Sequence, residues 1–202
     1  MRIERGLAES QRAEAAGLYW QAFERKLRLP LGPPARGVEL LARTLQPDRA
    51  VVALDGDDLV GLAGFQLHGR AFVGIGLRTV RQEFGLAGLL WRGPLLALLD
   101  RRPRPGELLM DGIVVRSDRR GQGIGTRLLD ELAALCREEG LGRIRLDVVD
   151  TNPAARRLYE RFGFVATRTE RTPYLRRPFG FAAATEMVYE LSPGPEGARP
   201  RA

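Results

Sequence analysis

The sequence predicts an α/β (α+β) domain built on one mixed, mostly antiparallel central sheet of six to seven strands flanked by helices. Three observations carry that expectation. Runs rich in β-formers alternate with stretches of helical period from one end of the chain to the other. The segment AVVALDGDDLVGLAGFQL holds two apolar runs around Asp55-Gly56-Asp57-Asp58, the turn chemistry of an antiparallel hairpin. With 202 residues, 44% hydrophobic and 28% charged, the chain has the composition of one globular domain with a sizeable core.

Taken in order, MRIERGL reads as a first strand, and residues 8–27 as an amphipathic helix carrying Leu18, Ala22 and Phe23 near one face. PLGPPARG (30–37) reads as loop and VELLARTL (38–45) as a short helix, ahead of the hairpin. Residues 77–99 have helical character interrupted by several breakers, and RRPRPGE (101–107) is a loop with two prolines. LLMDGIVV (108–115) is a strand leading through a glycine turn into a helix over 124–138, which Gly140 and Gly142 end. RIRLDVVD (143–150) is a strand, 152–162 a helix, 164–170 a strand, PYLRRPFGF (173–181) a loop and ATEMVYEL (184–191) the last strand. The expected domain is 1–191, followed by a Pro/Gly-rich, disordered tail at 192–202.

Composition narrows the function classes. The net charge is +7, and Lys26 is the only lysine among 32 basic residues. Arginine suits phosphorylated ligands, but the basic residues are scattered rather than gathered in one stripe, which disfavours a nucleic-acid partner. A single cysteine, Cys136, excludes an internal disulfide framework and a Cys-rich zinc site, and a single histidine, His68, argues against His-based triads or metal clusters. No metal is expected. The opening MRIERGLAESQ carries charge where a signal peptide needs an apolar run. The most apolar stretch, 86–99, is broken by Arg92, Gly93 and Pro94 and is too short to span a bilayer. No membrane partner and a cytoplasmic location are expected.

The most informative stretch is RRGQGIGTRLLDEL (119–132), where Gly121, Gly123 and Gly125 run into a leucine-rich helix. A dinucleotide fingerprint needs G-x-G-x-x-G, and Thr126 stands where its last glycine belongs. A Walker loop needs a lysine that is absent. The pattern Q/R-x-x-G-x-G/A, a pyrophosphate loop, is satisfied by Arg120 followed by Gly123-Ile124-Gly125. Glycines let backbone approach a diphosphate, and the unpaired first-turn amides of the helix offer it N–H groups and a favourable dipole. A second motif follows, TNPAARRLYERFGF (151–164). Asn152 is a good N-cap, Pro153 a favoured first helical residue, and Tyr159 lies seven positions beyond Asn152, two turns along the same face.

Joined in this order and about thirty residues apart, GIVVRSDRRGQGIGTRLL and LDVVDTNPAARRLYERFGF resemble the GNAT superfamily of acyl-CoA-dependent N-acyltransferases. The motifs cover roughly 108–165, and the surrounding elements extend the resemblance to about 1–191. It implies a GNAT-type sheet splayed between the strand at 108–116 and the strand at 143–150. It also implies that backbone of Ile113, Val114 and Val115 holds the pantetheine arm of acetyl-CoA, that Arg120, Gly121, Gln122, Gly123, Ile124, Gly125 and Thr126 hold its pyrophosphate, and that Asn152 lies near the acyl end. Tyr159 would face the sulfur as general acid. Ser117 departs from the proline that many members carry there.

The reaction so implied is direct attack of an amine on the thioester in a ternary complex, with no acyl-enzyme. An oxyanion stabiliser, an acid and a base are then needed, and a backbone N–H in 113–115 can be the first. Asp147 is the base the resemblance favours, with Asp111, Glu83 or a water chain as alternatives. Tyr19, Trp20, Phe23 and Phe84 line the acceptor site or belong to the core. The acceptor is a small-molecule or peptide amine, and a homodimer is an allowed state. Two other classes stay open: a non-catalytic acyl-CoA-binding or sensing module, and an Arg-rich nucleic-acid-binding protein.

Overall fold

The computed structural model describes residues 1–99 and 101–191; the tail expected at 192–202 lies outside the described residues. The strands are β1 (Arg2–Arg5), β2 (Ala50–Asp55), β3 (Asp58–Leu67), β4 (Arg70–Ala71), β5 (Glu107–Val115), β6 (Arg143–Val149), β7 (Val165–Arg171) and β8 (Ala183–Glu190). The helices are α1 (Arg12–Leu31), α2 (Pro34–Thr44), α3 (Leu77–Leu99), α4 (Ile124–Glu138), α5 (Pro153–Phe162) and the short α6 (Arg176–Phe179). The strands form a single sheet in the order β1-β2-β3-β5-β6-β8-β7, with β4 attached to β3. Every pairing is antiparallel except β5 with β6. Eight strands replace the six to seven expected because β4 is a two-residue return of the chain after the His68-Gly69 turn, too short to carry a period.

Alternation along the strands sends their side chains into two layers. In β2, Val51 and Ala53 join the core beneath α4 and α5, whereas Ala50, Val52 and Leu54 join the core shared with α1 and α2. α4 presents Ile124, Leu128, Leu129, Leu132 and Cys136 to the first of these layers, the apolar stripe its sequence spacing implies. At the sheet edges, four-residue β1 and the fully exposed, charge-bearing β7 leave little edge for another chain to pair with. Among the described residues no helix is long and apolar enough to cross a membrane.

Three boundaries differ from the sequence expectation. α1 starts at Arg12, after a short 3₁₀ turn at Glu9–Gln11, and continues through Pro30 to Leu31. Pro30 lies one residue before the end of α1, and Arg92 Nη1 donates to the carbonyls of Leu29 at 3.2 Å and Pro30 at 2.8 Å, which have no following helical turn to donate to them. Pro34 then opens α2 as its first residue, so the segment expected as loop shrinks to Gly32-Pro33. The loop expected at 173–181 contains α6, and Gly85 (φ 67°) kinks α3.

Candidate active site

β5 and β6 run in parallel register over three pairs only: Glu107 with Arg143, Leu108 with Ile144, and Leu109 with Arg145. Beyond Leu109, β5 stays paired to β3 and β6 to β8, but the two strands no longer pair with each other. Backbone groups of 110–115 and 146–149 that point into this split are therefore left without a strand partner, a cost that water or a ligand must offset. The splay expected between these strands is present.

A cavity of about 290 Å³ occupies the split. β5 contributes Met110 to Ile113, β6 contributes Leu146 to Val149, and α5 contributes Asn152, Ala155 and Tyr159. α1 closes it with Phe23 and Lys26, and Phe179 and Phe181 complete the rim. Gly112 is what lets α1 approach so closely, since a Cβ there would stand 2.3 Å from Phe23 Cζ.

In the turn before α4, Gly121 (φ 77°) and Gly123 (φ 75°) adopt the left-handed conformation, and no atom lies within 4 Å of where a Cβ of either would project. Gly123 is the N-cap of α4, so the helix's first-turn amides receive no side-chain acceptor. Arg120 Nε donates to the carbonyl of Val115 at 3.2 Å, tying the turn to the end of β5. Gly125 differs from the other two glycines: its Cβ would meet Leu158 Cδ2 at 2.8 Å, so the small residue serves the close packing of α4 on α5. Ile124 is buried, Gln122 and Thr126 are exposed, Val114 is buried and Ile113 and Val115 are half-buried.

Asn152 caps α5 as its sequence position implies, its Oδ1 accepting from the N–H of Ala155 at 3.1 Å. Two turns on, Tyr159 is 5% exposed, packs its ring on Phe164 at 5.6 Å and lines the cavity. Burial pushes its phenol above the ordinary value, so it stays protonated through neutral pH and well beyond. Asp147 lines the same cavity, 25% exposed, with Arg101 Nε 3.4 Å from its carboxylate.

The other base candidates are placed less favourably. Asp111 reaches the cavity wall, but its oxygens accept from Gln66 Nε2 at 2.6 Å and from the N–H of Phe72 at 3.1 Å, which commits it to holding the β3–β4 return. Glu83 lies outside the cavity lining, with an ion pair to Arg43 at 3.2 Å. Tyr19 and Trp20 are core residues at 6% and 4% exposure, and Phe84 lies beneath the guanidinium groups of Arg36 and Arg92. Cys136 is fully buried and its thiol is pushed up to about 12 by that burial, which leaves it inert. His68 sits in an exposed turn with Nε2 3.0 Å from Glu139.

One cavity residue escaped the sequence reading. Lys26 projects from α1 into the site, its Nζ 5.6 Å from the ring centre of Phe181. Burial lowers its pKa; the nearby Asp147 carboxylate opposes that shift and Arg101 adds to it. Its singularity in the sequence was a signal, but nothing local says that helix α1 turns this position toward β6.

The model of the acetyltransferase (GNAT) family matches residues 16–164, and the chain belongs to that family. Over 69 residues it is 38% identical to the probable N-acetyltransferase camello of Xenopus tropicalis, which spans 34% of this chain and 32% of that protein. Over 56 residues it is 34% identical to the thialysine N-epsilon-acetyltransferase of Bos taurus, 28% of this chain and 33% of that protein. The chain thus matches about a third of the length of each of these two curated relatives. The crystal structure of an N-acetyltransferase from Staphylococcus aureus Mu50 has the same fold, with a TM-score of 0.67 at 16% identity, covering 94% of this chain and 100% of that one.

Proposed function

We propose that this acetyltransferase uses acetyl-CoA to acetylate an amine of a small-molecule or peptide acceptor, by direct attack in a ternary complex, and that residues 1–191 form the catalytic domain. The observation that carries the reading is the cavity in the split sheet, lined by Tyr159, Asp147 and Asn152, together with the uncapped start of α4, which packs through Gly125 on Leu158 of the same helix α5 that lines the cavity. The residues present fit an elongated, diphosphate-bearing thioester. Gly121 and Gly123 leave open space where side chains would stand, α4 offers unpaired amides, and β5 offers a backbone edge without a partner strand.

In this reading the stretch from Arg120 to Thr126 holds the pyrophosphate, Ile113 to Val115 the pantetheine arm, and Asn152 the acyl end. Acetyl-CoA, when bound, supplies an acetyl group activated as a thioester. A backbone N–H of 113–115 donates to the carbonyl oxygen as negative charge develops there. Asp147 accepts the proton that the acceptor ammonium must lose before its nitrogen can attack. Tyr159 donates from its phenol toward the sulfur as the C–S bond breaks. Its pKa lies above that of a thiol, about 8.5, so it eases departure by hydrogen bonding more than by outright proton loss. The test is a panel of amines incubated with acetyl-CoA while free thiol is followed. Amine-dependent thiol release with a matching acetylated product supports the reading, and no release with any amine refutes it.

A further inference from the structure

Beside the active-site cavity lies a second, larger hollow of about 710 Å³, between the C-terminal half of α1, the middle of α3 and α6. Five arginines line it: Arg25 and Arg28 from α1, Arg92 from α3, and Arg176 and Arg177 from α6. Among the described residues no acidic side chain lines it, and Arg25, Arg28, Arg176 and Arg177, all exposed, make no ion pair. Several arginines elsewhere on this surface are matched to acids: Arg5 to Glu131, Arg70 to Asp48, Arg104 to Glu186, Arg119 to Asp55. Other arginines without an acidic partner, such as Arg127 and Arg157, stand singly on helix surfaces, whereas here four of them share one hollow. At its wall Trp91 is 46% exposed, with the Arg92 guanidinium 4.0 Å from its ring centre.

The two hollows adjoin at Arg25 and Phe179, which line both. Acidic side chains stand only on the cavity side: Asp147, Asp111 and Glu24 line the cavity together with Arg25 and Lys26, whereas every charged side chain lining the groove among the described residues is an arginine. A molecule lying across both would place an ammonium toward the carboxylates and negative groups among the arginines.

We propose that this arginine groove docks an acidic polypeptide whose amine enters the cavity, which makes the acceptor a protein or peptide rich in aspartate or glutamate near the modified amine. The inference rests on the acetyl-transfer reading for the fate of that amine, but not for the docking itself. A compact metabolite would fill the cavity without extending into a second volume more than twice as large. A nucleic acid matches the charge but presents only ring-conjugated amines, which are poor nucleophiles, to the cavity. An extended acidic chain satisfies both hollows, and the exposed indole offers a broad amphipathic surface for it.

The experiment uses the full chain and short peptides with a free N-terminal amine followed by a run of glutamates, with glutamine and arginine versions as comparisons. Binding is read by fluorescence anisotropy and transfer by acetylated product, in the wild type and in an Arg28→Ala, Arg177→Ala double variant. Both positions are exposed and outside the cavity lining, so the melting temperature and turnover of a small uncharged amine should be unchanged. The glutamate peptide should bind and react about tenfold better than the glutamine one, as expected from a few exposed charge pairs. That preference should shrink with added salt and disappear in the double variant. Equal use of the three peptides, or a preference untouched by the double variant, overturns the proposal. So does displacement of the glutamate peptide by an oligonucleotide that binds more tightly and depends on the same arginines. Groove-dependent binding of the glutamate peptide with no acetyl transfer to any amine supports the docking and refutes the acetyl-transfer reading instead.

Discussion

The three glycines of the turn look equivalent in sequence, yet the structure gives them separate tasks, and single alanine substitutions should separate them. Gly123 holds φ 75°, ψ 2°, and a methyl added there meets nothing. The cost to the empty protein is then only the left-handed strain of an L-residue, about 1–2 kcal/mol. In a chain of this size that lowers Tm by roughly 2–8 °C. The same methyl would fill space proposed for the pyrophosphate. Acetyl-CoA at a hundredfold excess over Kd stabilises by about 2.7 kcal/mol, roughly 5–11 °C. A tenfold loss of affinity in Gly123→Ala would cut that shift to about half. Gly125→Ala behaves differently. Its methyl stands 2.8 Å from the end of the Leu158 side chain, which can swing aside, and the helix gains up to about 1 kcal/mol in propensity. Stability should change by less than about 1 kcal/mol, with the ligand shift retained. The assay is a thermal melt of each variant with and without acetyl-CoA. A ligand shift abolished by Gly125→Ala and untouched by Gly123→Ala would refute the placement of the diphosphate over the left-handed glycines.

Lys26→Met should be more stable than the wild type near neutral pH. Because burial lowers the native pKa of Lys26 below its unfolded value, the unfolded chain holds that proton more tightly, and native stability rises with pH between the two values. The gap between variant and wild type in melts should therefore narrow as pH climbs toward the unfolded lysine value, and a constant gap would contradict this. Glu107 has no exposed side-chain surface and accepts from Arg145 Nε at 2.7 Å and from the N–H of Arg104 at 2.8 Å. Glu107→Ala, which leaves buried Arg145 with only the Glu186 carboxylate at 3.5 Å and the Arg102 carbonyl at 2.8 Å, should cost about 3 kcal/mol in denaturant unfolding, the low end for breaking a buried pair; a loss below about 1 kcal/mol would show that these contacts and water replace the lost carboxylate. Asp147→Asn keeps the shape of the side chain and removes its basicity, so turnover should fall on the order of 10²-fold or more at neutral pH. Unchanged turnover would hand the proton to a water chain.

The glycine turn and the capped start of α5 were legible because their signals are local. A residue forced to positive φ favours glycine, a helix start favours Asn-Pro, and both leave marks within a few positions, so the segment from β5 through α5 reads directly from sequence. The acceptor-side wall was not. Phe23 was a candidate for the site or the core, but Lys26 and the arginine groove depend on how α1, α3 and α6 pack across the sheet, contacts between residues far apart in the chain. Gly112 looked like an ordinary strand glycine, and its reason is the Phe23 ring pressed against it from α1. Asp111, Asp147 and Glu83 are the same chemistry in sequence. Only their surroundings distinguish them: Asp111 holds Gln66 and the Phe72 amide, Glu83 pairs with Arg43 outside the cavity lining, and Asp147 lines the cavity beside Arg101. The loop expected at 30–37 failed for a related reason, because proline and glycine mark an interruption without saying how many residues it takes.

The central claim is that acetyl transfer takes place in the split between β5 and β6, with Tyr159 at the sulfur. It is tested most directly on a single variant, Tyr159→Phe, by measuring turnover with a responsive amine and Tm on the same preparation. The phenyl ring keeps the contact with Phe164 and the burial, and only the hydroxyl is lost. Since a thiolate already leaves fairly well, turnover should fall on the order of 10²-fold, the low end for acid–base catalysis. Acetyl-CoA affinity and Tm should stay close to those of the wild type. A Tyr159→Phe enzyme with unaltered turnover and a lowered Tm would make Tyr159 a core residue and contradict the account.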